Sequence, residues 1–173
     1  SFFPTFVWVF DLSPEEVEPL CKKIEQNITS TLAIDGQLGR GHSIQSGTKL
    51  HQQPDFKDLC ERVESAAQGM LEFLEHKPAP LKITGCWANV SGPSDHHKEH
   101  SHPNNFLSGA YYVKTPKGGD SINFHDPRAE AQVIAPHVTE SSTKNSSTVI
   151  VEVQPGRLVL FPAWLRHSVD PNR

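Results

Sequence analysis

The second half of the chain constrains the fold most, because it is a succession of short apolar segments separated by turn residues. Glycine, proline, asparagine and aspartate stand between these segments, and all four favour turns. The candidate strands are Leu81 to Val90, Phe106 to Val113, Ser121 to His125, Thr148 to Val153 and Arg157 to Phe161. Many short strands joined by tight turns predict a mainly β fold, either a sandwich or a jelly roll.

Two helices are predicted in the first half. Residues 13–16 read Ser-Pro-Glu-Glu, which has the form of a capping box, and apolar residues then recur at helical spacing. Pro19 has no N–H to donate, so the regular helix is expected to begin there. After Asp55, a second apolar stripe of helical period runs from Phe56 to Leu74.

A chain of 173 residues suits one domain, and no repeat or linker divides it. We therefore expect a single domain over residues 1–173, with helical support at 13–76 and a β core at 81–173. The apolar segment 1–10 is short, contains a proline and lacks a basic flank. It predicts an early strand rather than a signal peptide or a membrane span.

Composition narrows the range of partners and compartments. The 16 Lys and Arg against 20 Asp and Glu give a net charge of −4, with no electrostatic reason to expect nucleic acid or an anionic membrane. The 3 cysteines form no disulfide framework, so a cytoplasmic location is expected.

The chain has 10 histidines, and the segment 95–103 reads Asp-His-His-Lys-Glu-His-Ser-His-Pro. In an extended segment, residues i and i+2 project from the same side, so His100 and His102 can meet one ion. Neutral imidazole suits Fe, Zn, Cu and Ni, so the pair alone does not choose the metal. A solvated loop is the alternative for an isolated pair, and His97-x-Glu99 is a rival motif.

A third candidate ligand, His167, follows the apolar segment 157–161 near the C-terminus. An unpaired imidazole there would be costly to bury, so the alternative role is a core histidine bonded to a backbone carbonyl. Two early ligands and one late ligand, at opposite ends of a run of β segments, match what a jelly-roll metal site requires. No cysteine pairs accompany them, which argues against a zinc finger. We predict that His100, His102 and His167 bind a catalytic metal ion.

Three stretches carry a resemblance to a known family. They are His-Ser-His-Pro-Asn-Asn-Phe-Leu-Ser-Gly-Ala-Tyr-Tyr-Val at 100–113, Phe-His-Asp-Pro-Arg at 124–128 and Gly-Arg-Leu-Val-Leu-Phe-Pro-Ala-Trp-Leu-Arg-His-Ser-Val at 156–169. In these stretches the chain resembles the 2-oxoglutarate/Fe(II) oxygenases of bacteria and phages. The resemblance implies a double-stranded β-helix (jelly roll) with supporting N-terminal helices. It also implies Fe(II), 2-oxoglutarate and O₂, with succinate and CO₂ as by-products of substrate hydroxylation.

The chain departs from the common oxygenase triad of two histidines and one carboxylate. His102 stands where the usual motif has its aspartate, and an all-imidazole triad leaves the Fe(II) site one unit more positive. A carboxylate from Asp95, Glu99 or Asp126 is the alternative third ligand.

The resemblance also implies groups that hold the co-substrate. In the wider superfamily a basic residue on the last strand grips the far carboxylate of 2-oxoglutarate, and an arginine fork suits that task. We expect this residue and a closing strand beyond Arg173, with Arg173 itself and Arg128 as alternatives. Tyr111 and Asn89 are predicted to hydrogen-bond the bound dicarboxylate.

Three functions are therefore considered. The first, which the resemblance favours, is an Fe(II)/2-oxoglutarate-dependent dioxygenase that hydroxylates a protein, a peptide or a metabolite. The second is a cupin-like three-histidine metal enzyme that does not use 2-oxoglutarate. The third is a non-catalytic metal-binding module.

Overall fold

The computed structural model describes residues 3–32, 34, 36–128, 130, 133–134 and 136–173. Helices α1 and α2 span Pro14–Thr31 and Lys57–Phe73, and 3₁₀ turns at Leu50–Gln52 and Pro54–Phe56 precede α2. The strands are β1 (Trp8–Asp11), β2 (Ile44–Gln45), β3 (Asn89–Val90), β4 (His97–His100), β5 (Leu107–Tyr111), β6 (Ser121–His125), β7 (Thr148–Glu152), β8 (Arg157–Pro162) and β9 (His167–Val169). No helix in these residues is long and apolar enough to cross a membrane.

Helix α1 begins at the predicted capping box. The Glu16 carboxylate accepts hydrogen bonds from the Ser13 backbone N–H at 3.1 Å and from its hydroxyl at 2.7 Å. The helix starts at Pro14, so the expectation that it begins at Pro19 is wrong. Pro19 lies on an exposed face. Water can therefore satisfy the Glu15 carbonyl, the i−4 partner that loses its donor.

Two antiparallel sheets form the β core. The first has the strand order β1-β8-β5, the second has the order β4-β9-β6-β7, and β2 pairs with β3 separately. Along β8, Val159 and Phe161 point between the sheets and pack with Ile122 and Phe124 of β6. The alternate β8 residues point to the other face, as strand geometry requires. This arrangement confirms the predicted jelly-roll class with helical support.

The helices cover the outer face of the first sheet. Leu158 and Leu160 of β8 pack there against Ala67 and Met70 of α2. Helix α1 adds a neighbouring cluster with the 3₁₀ turns and the start of α2, whose buried members are Leu20, Ile24, Ile28, Leu50, Phe56 and Leu59. The face of the first sheet that looks toward the second sheet is thus left free for the interior of the jelly roll.

The predicted strand Leu81 to Val90 is wrong for most of its length. Only Asn89–Val90 is a strand, and Cys86 makes a single bridge to Lys49. A strand persists only where it has a hydrogen-bonding neighbour, and β2 supplies just two residues. The later predicted strands agree with the structure to within two residues at each end.

Candidate metal centre

A bulge in β4 determines which histidines face the interior. In the antiparallel pairing of β4 with β9, His97 lies opposite Val169 and His100 lies opposite His167. β4 therefore has one residue more than β9 between these two pairs, which is the defining feature of a β-bulge. His97 and His100 are half-buried, whereas Lys98 and Glu99 are exposed. The bulge thus turns His100 toward the interior, where regular alternation would have placed Glu99.

The three predicted histidines meet inside the sandwich. His100 ends β4 and His167 begins β9, so their pairing places the rings 4.3 Å apart between centroids. His102 follows in the next turn, where its backbone N–H donates to the Ala163 carbonyl at 2.8 Å. Its ring centroid lies 5.0 Å from that of His100 and 5.1 Å from that of His167. One nitrogen from each ring lies within 4.8 Å of the other two.

Backbone carbonyls orient two of the rings. The Nδ1 of His100 lies 2.7 Å from the Lys98 carbonyl, and the Nδ1 of His167 lies 2.9 Å from the Leu165 carbonyl. A carbonyl oxygen only accepts, so each Nδ1 carries the proton and each Nε2 keeps a free lone pair. Metal-binding histidines in proteins are commonly oriented in this way.

Burial favours the neutral form of His167 and His102. His167 is only 5% exposed and packs on Phe161, with ring centroids 4.7 Å apart. This burial lowers the pKa of His167 to about 4, although its bond to the Leu165 carbonyl opposes the shift. Burial also lowers the pKa of His102, with a further contribution from His100. A neutral ring is the form that binds a metal ion.

None of the three carboxylates considered as ligands joins this group. Asp95 is buried beneath the loops and accepts backbone N–H bonds from Gly39, Gly41 and Gly92. Glu99 accepts from Arg166 Nε at 2.7 Å, and Asp126 is held by Arg128. In the described part of the chain, the cluster consists of three imidazoles alone.

The rival motif His97-x-Glu99 is not assembled. His97 Nε2 lies 2.8 Å from the Ser43 hydroxyl, and Glu99 points to the opposite face of the sheet. Exposed ion pairs contribute only about 0.2–1 kcal/mol. The Glu99–Arg166 pair therefore adds little to the backbone pairing that sets the register.

Tyr111 lies away from the three histidines. On β5 it is opposite Leu158, on the face that the helices cover, and its hydroxyl is 3.4 Å from Cys21 Sγ of α1. The neighbouring Tyr112 packs instead with the cluster between the sheets. Burial raises the pKa of Tyr112, so its hydroxyl stays protonated. Successive residues of a strand face opposite sides, so β5 places Tyr112 rather than Tyr111 between the sheets.

The other predicted co-substrate residues have separate surroundings. Asn89 is exposed on β3, where it pairs with Gln45. Arg128 makes a bidentate pair with Asp126. The Arg173 backbone N–H donates to the Gly118 carbonyl at 3.3 Å.

Two further features lie near the histidines. The Trp87 ring lies 5.9 Å from the His102 ring between centroids and forms one wall beside it. The Lys98 and Leu165 carbonyls orient two of the imidazoles, and sequence reasoning missed them because backbone carbonyls leave no signal in the residue types.

A groove of about 630 Å³ lies on the helix side of the molecule, and none of the three histidines lines it. Its walls include Glu16 and Arg62, which pair at 2.7 Å, and Asp11, which pairs with Arg157 at 2.7 Å. The groove therefore lies apart from the histidine cluster, and two ion pairs occupy part of its wall.

Comparison with known proteins identifies the class. The family model described as "Putative 2OG-Fe(II) oxygenase" matches residues 85–173, just over half of the chain. The chain therefore belongs to this family of 2-oxoglutarate/Fe(II) oxygenases. The match includes both histidine segments and supports the first of the three functions considered above. No curated protein matches the sequence.

Solved structures show the same fold. A Pseudomonas putida prolyl-4-hydroxylase superposes with a TM-score of 0.62 at 13% identity, covering 97% of this chain and 86% of that one. The non-haem α-ketoglutarate-dependent carbocyclase SnoK from nogalamycin biosynthesis gives a TM-score of 0.65 at 14% identity, covering 97% of this chain and 74% of that one.

Proposed function

We propose that His100, His102 and His167 bind Fe(II), and that the enzyme uses 2-oxoglutarate and O₂ to hydroxylate a protein, a peptide or a metabolite. The observation that supports this most strongly is the β4–β9 register, which places His100 directly beside His167. The family match supports the use of iron and 2-oxoglutarate.

The donor set fits Fe(II). Imidazole nitrogen is an ordinary ligand for ferrous iron, and His100 and His167 each have one nitrogen hydrogen-bonded and the other free. When bound, Fe(II) with 2-oxoglutarate supplies the oxidising power to place one oxygen atom of O₂ into a C–H bond, with succinate and CO₂ as by-products.

The protein's own part is to position groups and exclude water. The carbonyls of Lys98 and Leu165 hold two ligand rings in one orientation, so those rings need little rearrangement when the ion binds. The aromatic rings of Phe124, Phe161 and Trp87 lie beside the histidines and keep that side of the centre apolar. Asn89 remains our candidate for a hydrogen bond to the co-substrate.

We further propose a cytoplasmic location. Cys21, Cys60 and Cys86 are all free thiols. Free thiols without disulfides are usual in a reducing compartment.

The first prediction concerns co-substrate chelation. We expect anaerobic Fe(II) followed by 2-oxoglutarate to produce the visible charge-transfer band of an Fe(II)–2-oxoglutarate chelate. His100→Ala and His167→Ala should lose stoichiometric iron, because each removes one of three converging donors. Optical titration and iron analysis would measure both effects.

His96→Ala is the matched control, since His96 belongs to the same histidine-rich segment but not to the cluster. We expect it to bind iron normally. Iron binding without a chelate band would point to the cupin-like alternative, and unchanged iron content in the His100 and His167 variants would overturn the ligand assignment.

A further inference from the structure

The strand that carries His167 has little backbone pairing to hold it in place. β9 is 3 residues long, and its register with β6 consists of two pairs, His167 with Phe124 and Ser168 with Asn123. Its pairing with β4 contains the bulge described above. Additional bonds to β9 therefore matter more for the position of His167 than they would on a longer strand.

His125, the last residue of β6, bonds the residues on both sides of His167. The His125 backbone N–H donates to the Arg166 carbonyl at 3.0 Å. The His125 ring nitrogen Nε2 lies 2.9 Å from the Ser168 hydroxyl. Because Arg166 precedes His167 and Ser168 follows it, a single residue of β6 fixes the chain immediately before and immediately after this histidine.

The His125 ring lies on the outer face of the second sheet. Phe124 packs between the two sheets, so strand alternation turns the next residue outward. Ser168 also faces outward, because the His167 side chain before it points inward to the cluster. In the described part of the chain, His125 is not a member of that cluster. It therefore acts on His167 through the backbone of β9 rather than as a ligand.

A third strand restrains the His125 ring. Thr148 of β7 is its partner in the β6–β7 register, and Thr148 Oγ1 lies 3.4 Å from the Nδ1 of His125. Both ring nitrogens thus have a partner, one on β7 and one on β9, which limits rotation of the ring. His125, Thr148 and Ser168 are all half-buried, so water competes only in part for these bonds.

We propose that His125 is a positioning residue for the metal centre, and that its bond to Ser168 holds the His167 backbone where the imidazole can bind the ion. This inference rests on the proposed function, in which His167 is a ligand. Without the bond, β9 occupies more than one position, and His167 is in place in only a fraction of the molecules. The apparent metal affinity falls in proportion to that fraction.

The test is a titration with Co(II), which is stable in air and reports on its coordination through visible absorption. We expect Ser168→Ala to raise the dissociation constant for Co(II) by about two- to tenfold, the range that corresponds to the net free energy of one hydrogen bond. Urea denaturation without metal is measured in parallel. A bond that only stabilised the fold would lower the metal-free stability and leave the Co(II) affinity unchanged.

Further variants identify the hydroxyl and its partner. Ser168→Thr keeps the hydroxyl and suits a strand, so it should retain the wild-type affinity for Co(II). His125→Phe keeps an aromatic ring without nitrogen and should weaken binding as Ser168→Ala does. The double variant should be little weaker than either single one, because both remove the same bond. Ser121→Ala makes the same substitution at the other end of β6, opposite Glu152, and is the control.

The outcomes separate this inference from the proposed function. If wild type and His167→Ala bind Co(II) equally well, the ligand assignment fails and the inference fails with it. If His167→Ala loses Co(II) but Ser168→Ala binds it as wild type does, only the inference is wrong. Equal weakening by Ser168→Thr and Ser168→Ala would also contradict it. Should circular dichroism show that His125→Phe is unfolded, the two Ser168 variants decide.

Discussion

Asp95 shows how a single buried residue can organise the loops around the centre. Its carboxylate accepts N–H bonds from Gly39 at 3.1 Å, Gly41 at 2.8 Å and Gly92 at 2.7 Å. Gly39 and Gly41 have φ of +77° and +83°, a conformation that side chains disfavour and that aims their N–H groups at the carboxylate. The Asp95 carbonyl also accepts from Asn172. Through its carboxylate and its backbone carbonyl, this one residue joins three segments of the chain.

A prediction at this scale concerns Asp95→Asn. Hydrogen bonding to backbone N–H groups, that of Gly92 first, lowers the pKa of Asp95. Because the pKa is lower in the folded state than in the unfolded state, the ionised carboxylate stabilises the fold when the pH is above its ordinary pKa of about 3.9. This contribution is lost as the pH falls through the pKa of the folded state. We expect Asp95→Asn to be less stable than wild type at about pH 7, with the difference shrinking below about pH 4.

Urea denaturation of both proteins at the two pH values measures this effect. Asp170→Asn, at an exposed position, is the control and should leave stability unchanged at both. A stability difference for Asp95→Asn that does not depend on pH would contradict the assigned role of its charge.

At the scale of elements, the β4 bulge and the turn before β8 determine how the chain reaches the centre. The bulge brings His100 to the interior in place of Glu99. In the turn from β7 to β8, Gly156 has φ of +85°, and its backbone N–H donates to the Tyr112 carbonyl at 2.8 Å. This turn sets the start of β8, the strand that leads to His167.

Gly156→Ala is the prediction for this element. A Cβ at Gly156 would meet Cγ2 of Val17 in α1 and would also have to adopt a left-handed backbone. We expect a loss of about 1–3 kcal/mol in the free energy of unfolding, from crowding and backbone strain together. Chemical denaturation would measure the loss.

Substitutions at two other glycines separate the effect of backbone strain from the effect of the contact with Val17. Gly41→Ala tests backbone strain alone, because φ is +83° there and no atom lies within 4 Å of the added Cβ. Gly47→Ala has neither problem and should be nearly neutral. If Gly156→Ala is no more harmful than Gly41→Ala, contact with α1 does not limit the turn.

At the scale of the whole molecule, the centre joins parts of the chain that are far apart in sequence. His100 and His167 come from neighbouring strands of the second sheet, and His102 is tied through Ala163 to the end of β8 in the first sheet. An ion bound by all three would connect the two sheets at one point. Because the unfolded chain has no such site, the binding energy adds to the stability of the fold.

We therefore predict that Co(II) raises the melting temperature. An ion at about one hundred times its dissociation constant stabilises the folded state by about 2.7 kcal/mol. The metal-dependent shift should vanish in His167→Ala and persist in His96→Ala, as differential scanning calorimetry can measure. An equal shift in both variants would indicate binding elsewhere on this histidine-rich chain.

The sequence predicted the helices and the limits of the later strands, which depend on interactions between neighbouring residues. The capping box and apolar period predicted both helices, and turn residues delimited the later strands, because neighbouring residues determine these features. The prediction for Leu81 to Val90 was wrong because strand extent depends on a distant partner. Tyr111 lies on the face that the helices cover, and the sequence could not specify this because strand parity depends on the pairing of β5 with β8.

The sequence by itself indicated the candidate metal donors and the fold class: two histidines two residues apart, a third beyond a buried strand, and turns that favour a β-rich fold. Only the tertiary structure shows which candidates converge on one point, the three imidazoles rather than a set that contains a carboxylate. That choice depends on a bulge in β4 and on hydrogen bonds that hold Asp95, Glu99 and Asp126 elsewhere. These features arise between segments distant in sequence, so no pattern of residue types along the chain specifies them.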